Sequence, residues 1–412
     1  MQEIDPMITK SIQDIKVGSG RHAIIRRSAL FLSILLSGGM LVLPRIPILI
    51  LVVFLGLLAA RFRVVTLRRI WPVFLLISFV LLVTLVRPGP LHFESFIIRY
   101  ANFFCAIVLL NTYLIAPKSA LVDDLNMILR WMAWQAVVTV VLAHTLGFLF
   151  TTVNYLDTSF KTILLVFNYH VLFENSTGLY RPNGFFYEPG VLQIYLNIYL
   201  YLVLFVSKNY RQAILAGAAV FLTQSTTGIL IAMILIGVAF LKQISKGSFG
   251  SKLSTIVFAL MVVPPAVFLG YNNVSEKLFG EAQGSSWARE YDFYTGLNVI
   301  SNYPLLGIGF DHQRYLTVAG RLSYTDTNLS AESLTDRTTS NGLIYLFYSL
   351  GIPLAFIFII GIFRQTFFQH RLLIGLLLIL SLFGQAIVFT PFILMIIFSA
   401  FIFPRKKVIS KS

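Results

Sequence analysis

Apolar runs recur along the whole chain, and twelve of them approach the length of a membrane span: residues 29–43, 46–60, 70–86, 98–115, 131–150, 190–206, 212–223, 228–241, 253–270, 341–363, 372–389 and 391–403. A helix needs about 20 apolar residues to cross a bilayer core of ~30 Å. Several of these runs are shorter and are expected to tilt or to borrow interfacial residues. Alternating strands of about ten residues, which a transmembrane barrel requires, do not occur. The pattern predicts an all-α, polytopic integral membrane protein with about twelve transmembrane helices. Residues 1–412 read as a single transmembrane domain, with tails at 1–28 and 404–412 and two large loops at 151–189 and 271–340. The run 212–241 reads as a hairpin that turns at Thr223-Gln224-Ser225-Thr226-Thr227-Gly228. Its first arm, about 18 Å of helix, is short for a full crossing.

Charge then sets the sides. The chain is 57% hydrophobic and 12% charged, about half the charge of a soluble domain. Its net charge of +15 invites a nucleic-acid partner until the charges are placed. With the hairpin, 22 Lys and Arg fall on the side of the two termini and 10 on the other. Basic loops stay in the cytoplasm, so both termini are expected there and both large loops outside. Leaving out the long 271–340 loop, the hairpin gives 22 basic residues against 5, whereas a single span over 212–241 gives 13 against 14. The basicity is therefore topology, and no nucleic acid is expected. Loops and tails account for all the charges, which argues against an ion-coupled transporter, since those keep charge in their spans. The first 28 residues are polar and mixed in charge, so the first helix is expected to act as the signal. Cys105 is the sole cysteine and can form no internal disulfide.

Chemistry concentrates in the outer loops. Arg181-Pro182-Asn183-Gly184-Phe185-Phe186-Tyr187-Glu188-Pro189-Gly190 cannot run as one helix or strand, because proline and glycine interrupt it. Pro189 suits the first turn of the following helix, which puts Glu188 near the N-cap at the lip of a span. A guanidinium is a rigid fork of donors suited to phosphate, and Glu188 can accept a proton. A carboxylate at a helix N-terminus is stabilised as an anion, however, which weakens it as a base. An Arg–Glu pair that merely closes the loop is the bland alternative.

The second loop carries Trp287-Ala288-Arg289-Glu290 and Tyr303-Pro304-Leu305-Leu306-Gly307-Ile308-Gly309-Phe310-Asp311-His312. Residues 286–301 read as a helix with Trp287, Tyr291, Tyr294 and Leu297 along one face, lying on the membrane or on a sugar. Arg289 is a candidate phosphate ligand or a solvated helix charge. Gly307-Ile308-Gly309 follows no βαβ strand and is no dinucleotide fingerprint; it reads as a tight turn presenting Asp311 and His312. Arg337 precedes Ser340-Asn341, which are suited to capping the next helix, and Arg314 and Arg321 are further external cations. No cluster with metal-ligand spacing occurs, so neither a metal nor a cofactor is expected.

Taken in order, Arg181 with Gly184, Phe186, Glu188, Pro189 and Gly190, then Gln224-Ser225-Thr226-Thr227-Gly228, Arg289, Pro304-Leu305-Leu306-Gly307-Ile308-Gly309-Phe310, Ser340-Asn341-Gly342 and Leu350-Gly351-Ile352 resemble the O-antigen polymerase and ligase superfamily. The likeness is nearest to Wzy-type repeat-unit polymerases and covers most of residues 170–360. The family often has an arginine where Thr226 stands. The resemblance implies a glycosyltransferase that moves a growing glycan from undecaprenyl pyrophosphate to the next lipid-linked repeat unit, at the outer face of the bacterial inner membrane. Donor and acceptor would both be undecaprenyl-pyrophosphate-linked oligosaccharides held at the membrane lipid, with a chain-length regulator as a further partner. With it, Arg181, Glu188 and Arg289 are expected to be catalytic, and Tyr187, Asp311, His312, Arg314, Arg337 and Asn341, from their places in or beside the external loops, to bind substrate. Ligases of the superfamily carry a histidine where Thr339-Ser340-Asn341 stand here, which favours the polymerase and leaves Glu188, then His312, as base. A ligase and a flippase are the alternatives. A glycosyltransferase using a polyprenyl phosphate sugar would need a carboxylate in its first external loop, and Pro44-Arg45-Ile46-Pro47 has none.

Overall fold

A computed structural model describes residues 6–38, 44–65, 67–86, 93–155, 158–170, 180–246, 271, 283–310, 312–322 and 339–403. The chain is mostly helical. The helices run α1 Pro6–Leu35, α2 Arg45–Ala59, α3 Leu67–Val86, α4 Phe93–Ile115, α5 Ala120–Thr145, α6 Pro189–Tyr201, α7 Tyr210–Leu222, α8 Thr226–Lys246, α9 Gln283–Asn302, α10 His312–Leu322, α11 Gly342–Leu350, α12 Ile352–Arg364, α13 Arg371–Gly384 and α14 Pro391–Phe398. Among the described residues five helical stretches are long and apolar enough to cross a membrane: Leu67–Val86, Phe96–Ile115, Ala120–Thr145, Pro189–Val206 and Thr226–Ile244. Five shorter apolar helices accompany them. The predicted span 253–270 lies outside the described residues.

Burial separates the centre from the rim. Every residue of α14 is buried, as is all of α6 except Gly190. By contrast, α3 buries Ile70, Val73, Leu76, Val80 and Val83 and exposes Trp71, Leu75, Phe79, Leu82 and Val86. An exposed apolar stripe of that length marks an interaction surface in water; on a helix apolar all round it is the side that meets lipid.

The structure departs from the sequence expectations in four places. The loop 151–189 is not purely irregular, and the chain is not purely α. Strands β1 Thr151–Tyr155, β2 Thr158–Ile163, β3 Phe167–His170 and β4 Arg181–Pro182 form one antiparallel sheet in chain order. The predicted helix 341–363 is two helices, broken at Gly351. The predicted helix 372–389 ends at Gly384, leaving 385–390 as a loop. Finally, charge is not confined to loops and tails: Arg99 lies in α4, and α5 starts at Ala120 rather than at 131 and so includes Asp124 and Arg130. Asp124 is fully buried and takes Nε of Arg26 at 2.5 Å, Nε of Arg27 at 2.8 Å and the hydroxyl of Tyr113 at 3.1 Å. Replacing Asp124 would take the shared partner from both arginines, and stranding a charge of a buried pair typically costs ~3–5 kcal/mol.

The hairpin appears as α7 and α8, with Gln224 in the left-handed region at φ 51° between them. Reporter fusions after Lys246 and Arg364 are expected to read cytoplasmic, and fusions near Ser285 and Asn328 external. A cytoplasmic signal at Ser285 would reverse the sidedness of everything that follows.

Candidate active site at the Arg181–Glu188 segment

The segment 181–190 is pinned from three directions. β4 pairs with β3 through Tyr169↔Pro182 and His170↔Arg181. Beyond it the Asn183 N–H donates to the Asn168 carbonyl at 2.9 Å, and the Asn168 amide donates to the Gly184 carbonyl at 2.9 Å. The sheet thus sets the position of Arg181 and of the turn after it. The Tyr187 N–H donates to the Gly38 carbonyl at the end of α1, at 2.9 Å. Phe186 is buried and stacks on Tyr195 of α6, with ring centres 5.2 Å apart.

Arg181 is half-buried, and its Nε donates to the Thr223 carbonyl at 3.0 Å. The α7–α8 turn therefore lies against the arginine, which joins the first and second sequence motifs. Burial pulls the Arg181 guanidinium down to about 10; Glu188 opposes that shift and Arg289 adds to it. Both charges thus act on Arg181, although position 289 is 108 residues further along the chain. At neutral pH Arg181 stays cationic. Two guanidiniums and one carboxylate carry net positive charge, and an incoming anion relieves their mutual repulsion.

Glu188 occupies the N-cap of α6, as its place before Pro189 predicts, but its side chain does not cap the helix. Instead it accepts a hydrogen bond from the Gln385 amide at 2.9 Å. Gln385 is the residue that sequence reasoning missed, and it acts as a joint. Its Nε2 holds Glu188 and packs where a Cβ on Gly190 would stand, and its carbonyl packs where a Cβ on Gly342 would stand. The only signal for it was a glutamine closing an apolar run ahead of Thr390-Pro391. Gly190→Ala is expected to preserve the fold, because the obstructing atom is the far end of a flexible side chain. It would push the Gln385 amide off Glu188 and cost about 1 kcal/mol in that hydrogen bond. Activity should fall about fivefold while thermal stability changes little; a full loss of inserted protein would mean that Gln385 cannot yield.

The other motifs attach to the same assembly. On α9, Arg289 is exposed, and three residues on the buried Asp292 accepts the Ser340 N–H at 2.9 Å and the Ser340 hydroxyl at 2.7 Å. Asn341 is the N-cap of α11, its Oδ1 accepting from Leu343 N–H at 3.0 Å and Ile344 N–H at 3.1 Å. Of the two expected caps Asn341 is the one, and Ser340 ties the Arg289 helix down. The aromatic stripe on α9 divides: Tyr291 is buried with Asp292, Thr295 and Val299, whereas Tyr294 and Leu297 are exposed. A helix turns about 100° per residue, so a stripe four residues wide reaches past one face.

The Pro304–Phe310 turn has a structural role. Ile308 N–H donates to the Tyr348 carbonyl at 2.7 Å, Gly309 N–H to the Ser349 carbonyl at 3.1 Å, and Ile352 N–H to the Pro304 carbonyl at 2.7 Å. The turn thereby satisfies backbone groups that the break at Gly351 leaves open. Asp311 and Arg337 lie outside the described residues. His312 opens α10, but its side chain and that of Arg321 lie outside them too. Arg314 is half-buried on α10. Among the described residues no group of three or more His, Cys, Asp or Glu side chains is placed to hold a metal ion.

The apolar helices of membrane-crossing length fit a polytopic membrane protein, and Arg181 lies within electrostatic reach of both Glu188 and Arg289. Residues 213–359, about a third of the chain, match the family model described as O-antigen ligase. The match includes Arg289 and the motifs at 304–310 and 340–342, and it stops short of Arg181, Glu188 and Gln385. No curated protein and no solved structure matches the chain.

Proposed function

We propose that the protein is a repeat-unit polymerase. It transfers a glycan from undecaprenyl pyrophosphate to the next lipid-linked unit at the outer face of the bacterial inner membrane. The observation that carries this reading is the electrostatic coupling of Arg181 to Glu188 of its own segment and to Arg289 of a distant one. Breaking the glycosyl–pyrophosphate bond builds negative charge on the leaving group, and preorganised guanidiniums stabilise it. The acceptor hydroxyl gives its proton to a base. Glu188 is our assignment for that base, since Gln385 donates to one carboxylate oxygen and leaves the other for the acceptor. The energy lies in the bond that breaks, so no nucleotide is used. Tyr187, Arg314 and Asn341, with Asp311, His312 and Arg337 beyond the described residues, remain the proposed substrate contacts. A chain-length regulator remains a proposed partner.

The second reading is a ligase that moves the glycan to a lipid core, and the description of the matching family model favours it. The residues before α11 speak against it, since Thr339-Ser340-Asn341 offer no histidine. A strain lacking the protein decides by the banding of its lipopolysaccharide or capsule. One repeat unit per chain supports the polymerase, a bare lipid core supports the ligase, and lipid-linked units accumulating inside the cell point to a flippase. Purified protein should also keep its activity in excess chelator. Loss of activity that Mg²⁺ or Mn²⁺ restores would reveal a metal site.

A further inference from the structure

A cavity of about 310 Å³ lies beside the cluster, near the lower end of the range for small-ligand sites, ~300–1,000 Å³. It is joined to the candidate active site at three points. Ala386 in its wall follows Gln385, Thr339 precedes Ser340, and Gly38 accepts the Tyr187 N–H. Its charge comes from elsewhere. Of the fifteen lining residues two are arginines, Arg45 at the start of α2 and Arg99 on α4, and none is acidic. Among the described residues neither arginine has a salt-bridge partner. The Arg99 guanidinium lies over the Tyr345 ring, 5.2 Å from its centre, which orients the fork without neutralising it. Tyr345, Tyr348 and Asn102 add polar groups to the wall. Two guanidiniums that share no salt bridge among the described residues, around a concave space with hydroxyl and amide groups beside them, suit a phosphate group.

A polymerase handles two lipid-linked pyrophosphates, one broken and one kept intact. The Arg181–Arg289 cluster has a carboxylate to take a proton. Among its described lining residues the Arg45–Arg99 cavity has cations and no carboxylate, which suits an anion that is held rather than cleaved. We infer that the Arg45–Arg99 cavity is a second pyrophosphate subsite, which holds the lipid-linked substrate whose pyrophosphate bond is not cleaved. This inference rests on the polymerase reading, because only that reaction brings two such groups.

The test counts binding sites for farnesyl pyrophosphate on the purified, detergent-solubilised full chain by equilibrium dialysis. Wild type should bind two equivalents, Arg45→Gln/Arg99→Gln one, and Arg181→Ala/Arg289→Ala one. Arg99→Lys keeps the charge but loses the fork. It should weaken one of the two sites by about 10–100-fold, the loss of one charge-assisted hydrogen bond. Two unaltered equivalents in Arg45→Gln/Arg99→Gln would overturn the subsite. So would loss of both in protein that elutes like wild type, which would mean a single shared site. Displacement of the Arg45–Arg99 equivalent by phosphatidylglycerol as readily as by farnesyl pyrophosphate would reduce the cavity to an ordinary lipid-headgroup site and also overturn the proposal. Banding of the deletion strain is read separately. A ligase pattern removes the uncleaved-substrate role whatever the count, and a polymerase pattern with an unchanged count removes the cavity alone.

Discussion

Arg181→Ala and Arg289→Ala are each expected to abolish or strongly reduce chain elongation while the protein still inserts. Loss of one charge-stabilising donor typically lowers a rate by ~10²–10³. The geometry makes Arg181 the less replaceable of the two. Its Nε is committed to the Thr223 carbonyl, which leaves the Nη groups for an anion. Lysine has one nitrogen and cannot fill both roles, so Arg181→Lys should rescue poorly. Glu188→Gln keeps the shape beside Gln385 but cannot take a proton, and it should fail nearly as badly as Glu188→Ala. Arg321→Ala serves as the milder control. The measurement is glycan banding at matched membrane levels of each variant. Normal ladders from both arginine variants would remove the assignment. Normal ladders from Glu188→Gln alone would leave the arginines in place and move the base to His312 or to the substrate.

The second large effect is on the fold. Gly351→Ala should strip the membrane of folded protein. Gly351 has φ 78° and ψ 166°, a region that only glycine occupies freely; other residues there cost about 1–3 kcal/mol. A Cβ at this position would also overlap the Leu305 carbonyl, which is backbone and cannot swing aside. Gly307, at φ 62°, stands in the reverse relation to the Tyr348 carbonyl. Either substitution forces apart the three backbone hydrogen bonds that join the 304–310 turn to the α11–α12 break. Gly217 on α7 is the control: a Cβ there meets nothing within 4 Å, and alanine in a helix is favoured over glycine by roughly 0.5–1 kcal/mol. Gly217→Ala should melt at or slightly above the wild-type temperature in detergent. Wild-type accumulation and melting of Gly351→Ala would show that the break is not under this constraint.

Local signals were legible in the sequence, and distant ones were not. The start of α6 follows from Pro189 behind a polar Glu188. The α7–α8 turn follows from its Ser, Thr and Gly residues and from the distribution of Lys and Arg. The Asn341 cap follows from its position before an apolar run. Each of these depends on residues within a few positions of one another. The Glu188–Gln385 contact spans 197 residues, and no spacing rule reaches that far. The sheet in 151–170 was missed because its strands are four to six residues long, too short for alternation to stand out from loop composition. The break at Gly351 was visible as a motif but not as a break, since apolar helix continues on both sides. What disguised it is that its open backbone groups are satisfied by a turn some forty residues earlier.

The partner that Arg26 and Arg27 share lies far along the chain. Asp124 follows them by 98 and 97 residues. At about 5–20 residues per second, the ribosome reaches the aspartate roughly 5–20 s after the arginines. Until then both guanidiniums lack this partner, and basic residues flanking a membrane helix are the ones that bias its orientation. Once α5 arrives, Asp124 offsets one of the two positive charges and the same residues become a clamp between the two helices. The same pair of side chains is thus unpaired with Asp124 while α1 emerges and held by it once α5 is in place.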